Sequence, residues 1–223
     1  MGRLAVIIGS NALTPGGEEI AAVAAAKDAV ILQRHGSDSY RLPHLIDHAA
    51  NLRSLIEADC DRALAISSVG SLKPGLGVGS LVCPDDFIAL QLGLSIFSDA
   101  RGHTTPGFNP AWRSKVLAAW ARSSAPPLHD GGVYWQTIGP RFETPAEIRL
   151  ISTHADVVGM TLASECIVAG ELELPYAAVC VVDNLANGIG SEPLSIEEVE
   201  ADRARNAERV RDALDAVLPE LVG

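Results

Sequence analysis

The chain alternates between short, uninterrupted apolar runs and longer stretches in which apolar residues recur every three or four positions. Runs at 4–8 (LAVII), 29–33 (AVILQ), 63–67 (ALAIS), 81–83 (LVC), 157–160 (VVGM) and 176–182 (YAAVCVV) read as buried strands, each closed by a polar or glycine-bearing cluster. Between them, 51–58, 111–121, 145–152 and 163–172 carry helical spacing, with Thr144 as an N-cap and Pro145 at the first helical position. A last helix is expected to start at Ser195, with Glu198 at capping-box spacing. Its stripe is Ile196, Val199, Ala207, Val210, Leu214 and Val217, interrupted by Arg203. The stretches 98–109 and 123–132 read as loops. Strands alternating with helices, and strands apolar on both faces, predict an α/β fold. We expect one domain over 1–223, with a central mixed, largely parallel sheet flanked by helices.

Composition narrows the function. A chain of 223 residues with 48% hydrophobic and 20% charged residues is a packed globular protein. The formal net charge of −11 argues against a nucleic-acid partner, because phosphate backbones need clustered Lys and Arg. Any anionic substrate must be held locally, by backbone N–H groups or a well-placed arginine. The four cysteines form no C-x-x-C pair and imply neither a disulfide framework nor a zinc site. The apolar run ending at Gly9 is too short for a signal-peptide core or a membrane span, so no membrane partner and a cytoplasmic location are expected.

In α/β folds ligands gather beyond the carboxyl ends of the strands. Four such ends carry polar clusters: Gly9-Ser10-Asn11, Arg34-His35-Gly36, Ser67-Ser68-Val69-Gly70-Ser71 and Asp183-Asn184. Each alone is also an ordinary turn or surface loop. Together they supply a permanent cation, hydroxyls and turn N–H groups, the parts of an oxyanion cradle.

The stretch 139–187 adds Gly139-Pro140-Arg141-Phe142-Glu143-Thr144-Pro145-Ala146-Glu147, then Val158-Gly159-Met160-Thr161, then Asp183-Asn184. With Gly9-Ser10, Arg34-His35-Gly36, Pro43-His44, Gly70-Ser71 and Pro84-Asp85-Asp86-Phe87-Ile88, these resemble the trimeric purine nucleoside phosphorylase and methylthioadenosine phosphorylase family over most of the chain. The resemblance implies phosphorolysis of the N-glycosidic bond of a purine nucleoside, yielding free base and ribose 1-phosphate. Inorganic phosphate would be co-substrate, with no cofactor or metal, in a homotrimer. It implies phosphate contacts at Ser10, Arg34, His35, Ser68 and Thr161. Ribose contacts would fall at Met160 and at His103, which would reach across a subunit boundary. Base contacts would fall at Phe142, Glu143 and Asn184, with Asp183 the neighbour that a one-residue shift would bring to the base. Asn184, Glu143, Arg34 and His35 would carry the catalysis.

Asn184 and Glu143 resemble the 6-oxopurine members, whereas adenine-type members carry Asp and Ser there. The chain departs from the family pattern at Asp183, which replaces a Thr, at Leu185, which replaces an aromatic, and in the shortened 87–111 segment beside the expected 5′ pocket. A 5′-modified nucleoside therefore stays open as substrate. So do a methylthioadenosine phosphorylase, a nucleoside hydrolase of the same superfold and a catalytically silent purine-binding scaffold. Glu165 has two readings, a ribose-hydroxyl ligand or a helix-start carboxylate. His44, His48, His129 and His154 read as surface or helix-packing residues, and Trp112, Trp120 and Trp135 as core or interface.

Overall fold

The computed structural model describes residues 2–9, 15–37, 39–190 and 196–222. One sheet carries all its strands: β1 (Arg3–Ile8), β2 (Val30–Gln33), β3 (Cys60–Ser71), β4 (Leu81–Cys83), β5 (Asp86–Ile88), β6 (Leu128–Asp130), β7 (Val133–Gln136), β8 (Val157–Gly159) and β9 (Tyr176–Leu185). Only the β3–β8 and β4–β9 pairings are antiparallel, so the sheet is mixed and largely parallel, as the sequence predicts. The helices are α1 (Pro15–Ala26), α2 (His48–Glu57), α3 (Pro110–Arg122), α4 (Pro145–Ile151), α5 (Leu162–Glu171) and α6 (Ile196–Leu221).

Both faces of the sheet are covered, which is why its strands are apolar throughout. Along β1, Leu4, Val6 and Ile8 point into a core shared with α1, α3 and α6, through Ile20, Trp112, Val116, Val210 and Leu214. Ala5 and Ile7 point the other way, against Leu52 and Leu55 of α2 and Leu162 and Cys166 of α5. This two-residue alternation splits one strand between two cores. Trp112 and Trp120 are buried in the first, each ring N–H donating to a backbone carbonyl. All four cysteines are free and buried.

Two features of the sheet position the site. The first is a split along β3. On one edge β3 pairs with β9 along most of its length. On the other, Cys60–Ile66 carry β1 and Gly70–Ser71 carry β8, leaving Ser67–Val69 without a strand neighbour. The second is a bulge in β9. Val69 faces Val182 but Gly70 faces Asn184, so Asp183 is the extra residue. A bulge re-aims the side chains that follow it.

The strands run further than the apolar runs alone predict. β3 continues through Ser67–Ser71 and β9 through Asp183–Leu185, so those polar clusters are strand residues, not turns. β5, β6 and β7 and helix α1 carry no clear signal in the sequence. The first three are short, and α1 is a run of alanines and glycines with little contrast between its faces. The expected cap at Ser195 falls outside the described residues.

Helix α4 is fixed at its start by a reciprocal capping box. The Glu147 N–H donates to Thr144 Oγ1 at 3.3 Å, and the Thr144 N–H donates to the Glu147 carboxylate at 2.7 Å. The box orients the segment that bears Phe142 and Glu143. Thr144→Ala should cost about 1 kcal/mol of unfolding free energy, read from the midpoint of urea denaturation. A change of under about 0.3 kcal/mol would mean that the box does not hold the segment.

Candidate functional site

A cavity of about 280 Å³ opens at the split in the sheet. Its lining draws on Gly9 after β1, Arg34 and His35 after β2, Ser67–Gly70 of β3, Phe142 and Glu143 before α4, and Val158–Thr161 at the end of β8. Asn184 beyond the bulge and Val199, Glu200 and Arg203 of α6 also line it. The chain thus brings Arg34, His35, Ser68, Thr161, Met160, Phe142, Glu143 and Asn184 into one space, although they come from five separate stretches of sequence.

At the cationic end, Arg34 is 1% exposed. Its Nε and Nη2 donate to the two oxygens of Glu165 at 2.6 and 3.0 Å, and Nη1 donates to the Ile66 carbonyl at 2.8 Å. Glu165, also 1% exposed, accepts a third bond from the Tyr176 hydroxyl at 2.6 Å. Burial works against the charge of both partners, but their mutual attraction outweighs it. The guanidinium pKa is raised and the Glu165 carboxyl is held below its ordinary value. Glu165 is the first-turn carboxylate of α5, as one of its two sequence readings has it, and its partner there is Arg34. The signal available was a lone charge in the apolar start of α5. Gly9 packs so close to this guanidinium that a Cβ there would lie 2.5 Å from Nη1. The glycine therefore serves close approach.

His35 is 7% exposed and stacks on Tyr40 with ring centroids 4.7 Å apart. Its Nδ1 lies 2.8 Å from the Arg41 carbonyl. A carbonyl only accepts, so Nδ1 carries the hydrogen and Nε2 is left as an acceptor. Burial, with Arg34 nearby, lowers the pKa from 6.5 to about 4. The ring is therefore neutral at neutral pH.

Thr161 precedes α5 and its side chain makes no capping bond. The Tyr134 hydroxyl accepts from the Thr161 and Leu162 N–H groups, and Gln136 accepts from that of Ser164. The Thr161 hydroxyl thus stays available to the cavity. Ser68 differs: its hydroxyl donates to the Asp183 carboxylate.

At the aromatic end, Phe142 is 39% exposed. Glu143 is buried and accepts from the Thr137 hydroxyl through one oxygen at 2.6 Å, while its backbone carbonyl accepts from Asn187. Asn184 donates one amide hydrogen to the Leu185 carbonyl at 2.9 Å. Met160 lies against Gly139, whose φ of +73° suits glycine.

Of the expected site residues, two stand elsewhere and a third is not described. Ser10 falls outside the described residues. His103 is exposed, ends the single turn Ala100–Gly102 and does not line the cavity of its own chain. Asp183 is 0% exposed and does not line the cavity. As the bulge residue it turns inward, taking bonds from Ser68 and, at 2.7 Å, from Asn206 of α6. The bulge thus turns one neighbour inward and presents the other, Asn184, to the cavity. Sequence reasoning missed Arg203, whose place in an otherwise apolar stripe was the available sign.

An α/β sheet with a small-molecule cavity at the C-terminal ends of its strands defines the broad class. The profile of the phosphorylase superfamily matches residues 3–219, and the chain belongs to that family. A protein of Archaeoglobus fulgidus named "Probable 6-oxopurine nucleoside phosphorylase" is 41% identical over 180 residues, 81% of this chain and 74% of its own. The "6-oxopurine nucleoside phosphorylase" of Pyrococcus furiosus is 35% identical, covering 92% of this chain and 83% of its own. A "Probable S-methyl-5'-thioinosine phosphorylase" of Methanothermobacter thermautotrophicus is 37% identical, covering 85% of this chain and 68% of its own. In fold, the chain is similar to a methylthioadenosine phosphorylase from Schistosoma mansoni solved with adenine. The TM-score is 0.81 at 21% identity, covering 98% of this chain and 91% of that one. Among the described residues, no helix is long and apolar enough to cross a membrane.

The ionisations set a pH dependence of stability. His35, lowered by burial to about 4, and His48, lowered by burial, take up protons more readily in the unfolded chain. Glu165, held low by Arg34 against its burial, acts in the same direction. Protons therefore favour unfolding: the His35 contribution is present at neutral pH and lost as pH falls from about 6.5 to about 4, and that of Glu165 is lost only below its ordinary value. Asp183, raised by burial, opposes the trend. The melting temperature should fall across this window, and less steeply in His35→Gln. An identical slope in that variant would exclude His35 as a contributor.

Proposed function

We propose that this protein cleaves 6-oxopurine nucleosides with inorganic phosphate, releasing the base and ribose 1-phosphate. One observation carries the reading: a single cavity joins Arg34, His35 and Thr161 at one end to Phe142, Glu143 and Asn184 at the other. The names of the relatives support it, since 6-oxopurine nucleosides and thioinosines share a 6-oxo base and differ at the 5′ position.

The chemistry follows from the groups present. Phosphorolysis passes through a ribosyl cation with a departing purine anion, so the site must hold a nucleophile beneath C1′ and stabilise negative charge on the base. Phosphate lies at the cationic end, with the Thr161 hydroxyl as donor. Neutral His35, with Nε2 as acceptor, takes a hydrogen bond from monoprotonated phosphate and so orients the nucleophile. The purine lies on Phe142. The free oxygen of Glu143 accepts from N1–H. The second amide hydrogen of Asn184 donates to N7, where charge collects as the bond breaks. Met160 packs on the ribose. No protein nucleophile is required. Holding the two reactants in line accounts for up to about 7–11 kcal/mol of barrier lowering. The functional unit is a cytoplasmic homotrimer in which His103 of a neighbouring copy closes the 5′ end.

Inosine and guanosine, with and without a 5′-methylthio group, should be cleaved only when phosphate is present, with ribose 1-phosphate (or its 5′-methylthio form) as co-product by chromatography. Equal cleavage in phosphate-free buffer would make the protein a hydrolase, and binding without turnover a scaffold. Asn184→Asp should shift the kcat/KM ratio of adenosine to inosine upward by about tenfold, the worth of one hydrogen bond of about 1.4 kcal/mol. An unchanged ratio, with loss of activity in Asp183→Asn, would transfer the base contact to Asp183.

A further inference from the structure

Arg34 is the expected cation of this site, yet Glu165 already holds it. Both faces of the guanidinium fork are committed to that carboxylate, and the remaining nitrogen bonds a backbone carbonyl. A phosphate dianion brought against this pair meets a neutral couple. Among the described residues, the other charged groups lining or backing the cavity are the carboxylates of Asp183, Glu143 and Glu200, and one further cation, Arg203 of α6.

Arg203 differs from Arg34 in three respects. It lines the cavity while its side chain remains 23% exposed, so an incoming ligand can reach it. Its Nε is buried without a hydrogen-bond partner. Its nearest carboxylate, Asp183, stands 3.6 Å away, beyond hydrogen-bonding distance for Nε. Asp183 is occupied by others, with Asn206 on Oδ1 and the Ser68 hydroxyl on Oδ2. The same arrangement explains the sequence. Arg203 and Asn206 stand one turn apart on the face of α6 that meets the end of β9, and the apolar stripe breaks there because the helix faces the cavity instead of core. Asp183 keeps Arg203 beside Ser68 without binding it by a hydrogen bond.

We propose that Arg203 is a phosphate-binding residue of this enzyme, supplying the positive charge that Arg34 has committed to Glu165. The proposal rests on the phosphorolytic reading above and adds to it the residue that sets affinity for the co-substrate. A partly exposed arginine on a cavity wall donates charge-assisted bonds to an oxyanion, and the three carboxylates leave such a charge necessary. Asp183 tempers it, so that the cation is retained when the site is empty.

The test is the Michaelis constant for phosphate at saturating inosine. Arg203→Gln should raise KM for phosphate by about tenfold or more, the worth of a charge-assisted bond, while KM for inosine changes less than about threefold. Arg203→Lys should recover most of the loss. A phosphate KM unchanged in Arg203→Gln would overturn the proposal, and so would a loss expressed only in KM for the nucleoside. A second measurement needs no variant: phenylglyoxal labelling of the native protein, mapped by mass spectrometry. Saturating phosphate should protect Arg203 at least fivefold, and labelling of Arg203 indifferent to phosphate would overturn the assignment. If the native enzyme cleaved nucleosides equally without phosphate, the phosphorolytic reading itself would fail. A phosphate-dependent native enzyme with an unaffected Arg203→Gln would remove this inference alone.

Discussion

The buried pair of Arg34 and Glu165 is the constraint on which the rest of the site depends. Neither charge would survive at 1% exposure alone, because the desolvation of either ion costs several kcal/mol. They survive together because the pair is held at close range and supported by further hydrogen bonds: two bonds between them, one from Tyr176 to the carboxylate and one from the guanidinium to Ile66. Removing one partner would strand the other, at about 3–5 kcal/mol. The pair also ties distant elements to one another. It joins the end of β2 to the first turn of α5, meets β3 at the residue where β1 stops pairing, and allows no side chain at Gly9.

From that joint the position of the cavity follows. β1 leaves the edge of β3 at Ile66 and β8 takes it up at Gly70, so an opening is built into the sheet where backbone and small side chains face outward. The bulge at Asp183 belongs to the same geometry. Without the extra residue, the two-residue alternation of β9 would place Asn184 on the side that Asp183 now occupies. Strand pairing, not loop flexibility, decides which of two adjacent polar residues meets a ligand.

The sequence made the fold class and most of the cavity lining legible, for a physical reason. Buried strands must be apolar on both faces, so the runs at 4–8 and 176–182 announce themselves, and their polar ends mark where ligands gather. The capped start of α4 was equally plain in Thr144-Pro145. What stayed hidden depended on partners remote in sequence. Glu165 reads as a helix-start carboxylate until Arg34, 131 residues away, is seen across from it. Asp183 and Asn184 are chemically similar neighbours, and only the register of β9 against β3 separates them. The continuation of β3 through Ser67–Ser71 was masked because serine and glycine are turn formers locally, and the pairing of β9 overrides that preference. Helix α1 lacked contrast because alanine serves buried and exposed faces alike.

Charge gives the site its final logic. A protein of formal net charge −11 repels anions at long range, so any phosphate affinity must come from groups within bonding distance. A cation fully buried and fully paired, like Arg34, contributes shape and directed N–H groups more than net charge. A partly exposed cation with an unfilled donor, like Arg203, contributes charge but is less firmly positioned. Two arginines with these different settings divide one task that a single residue performs badly: rigidity requires strong partners, and strong partners neutralise the charge. The carboxylate at 183 serves this division. It lies near enough to Arg203 to hold it and is occupied enough by Ser68 and Asn206 to leave the buried Nε without a hydrogen-bond partner. In the proposed reaction the fixed arginine shapes the cradle while the freer one supplies attraction.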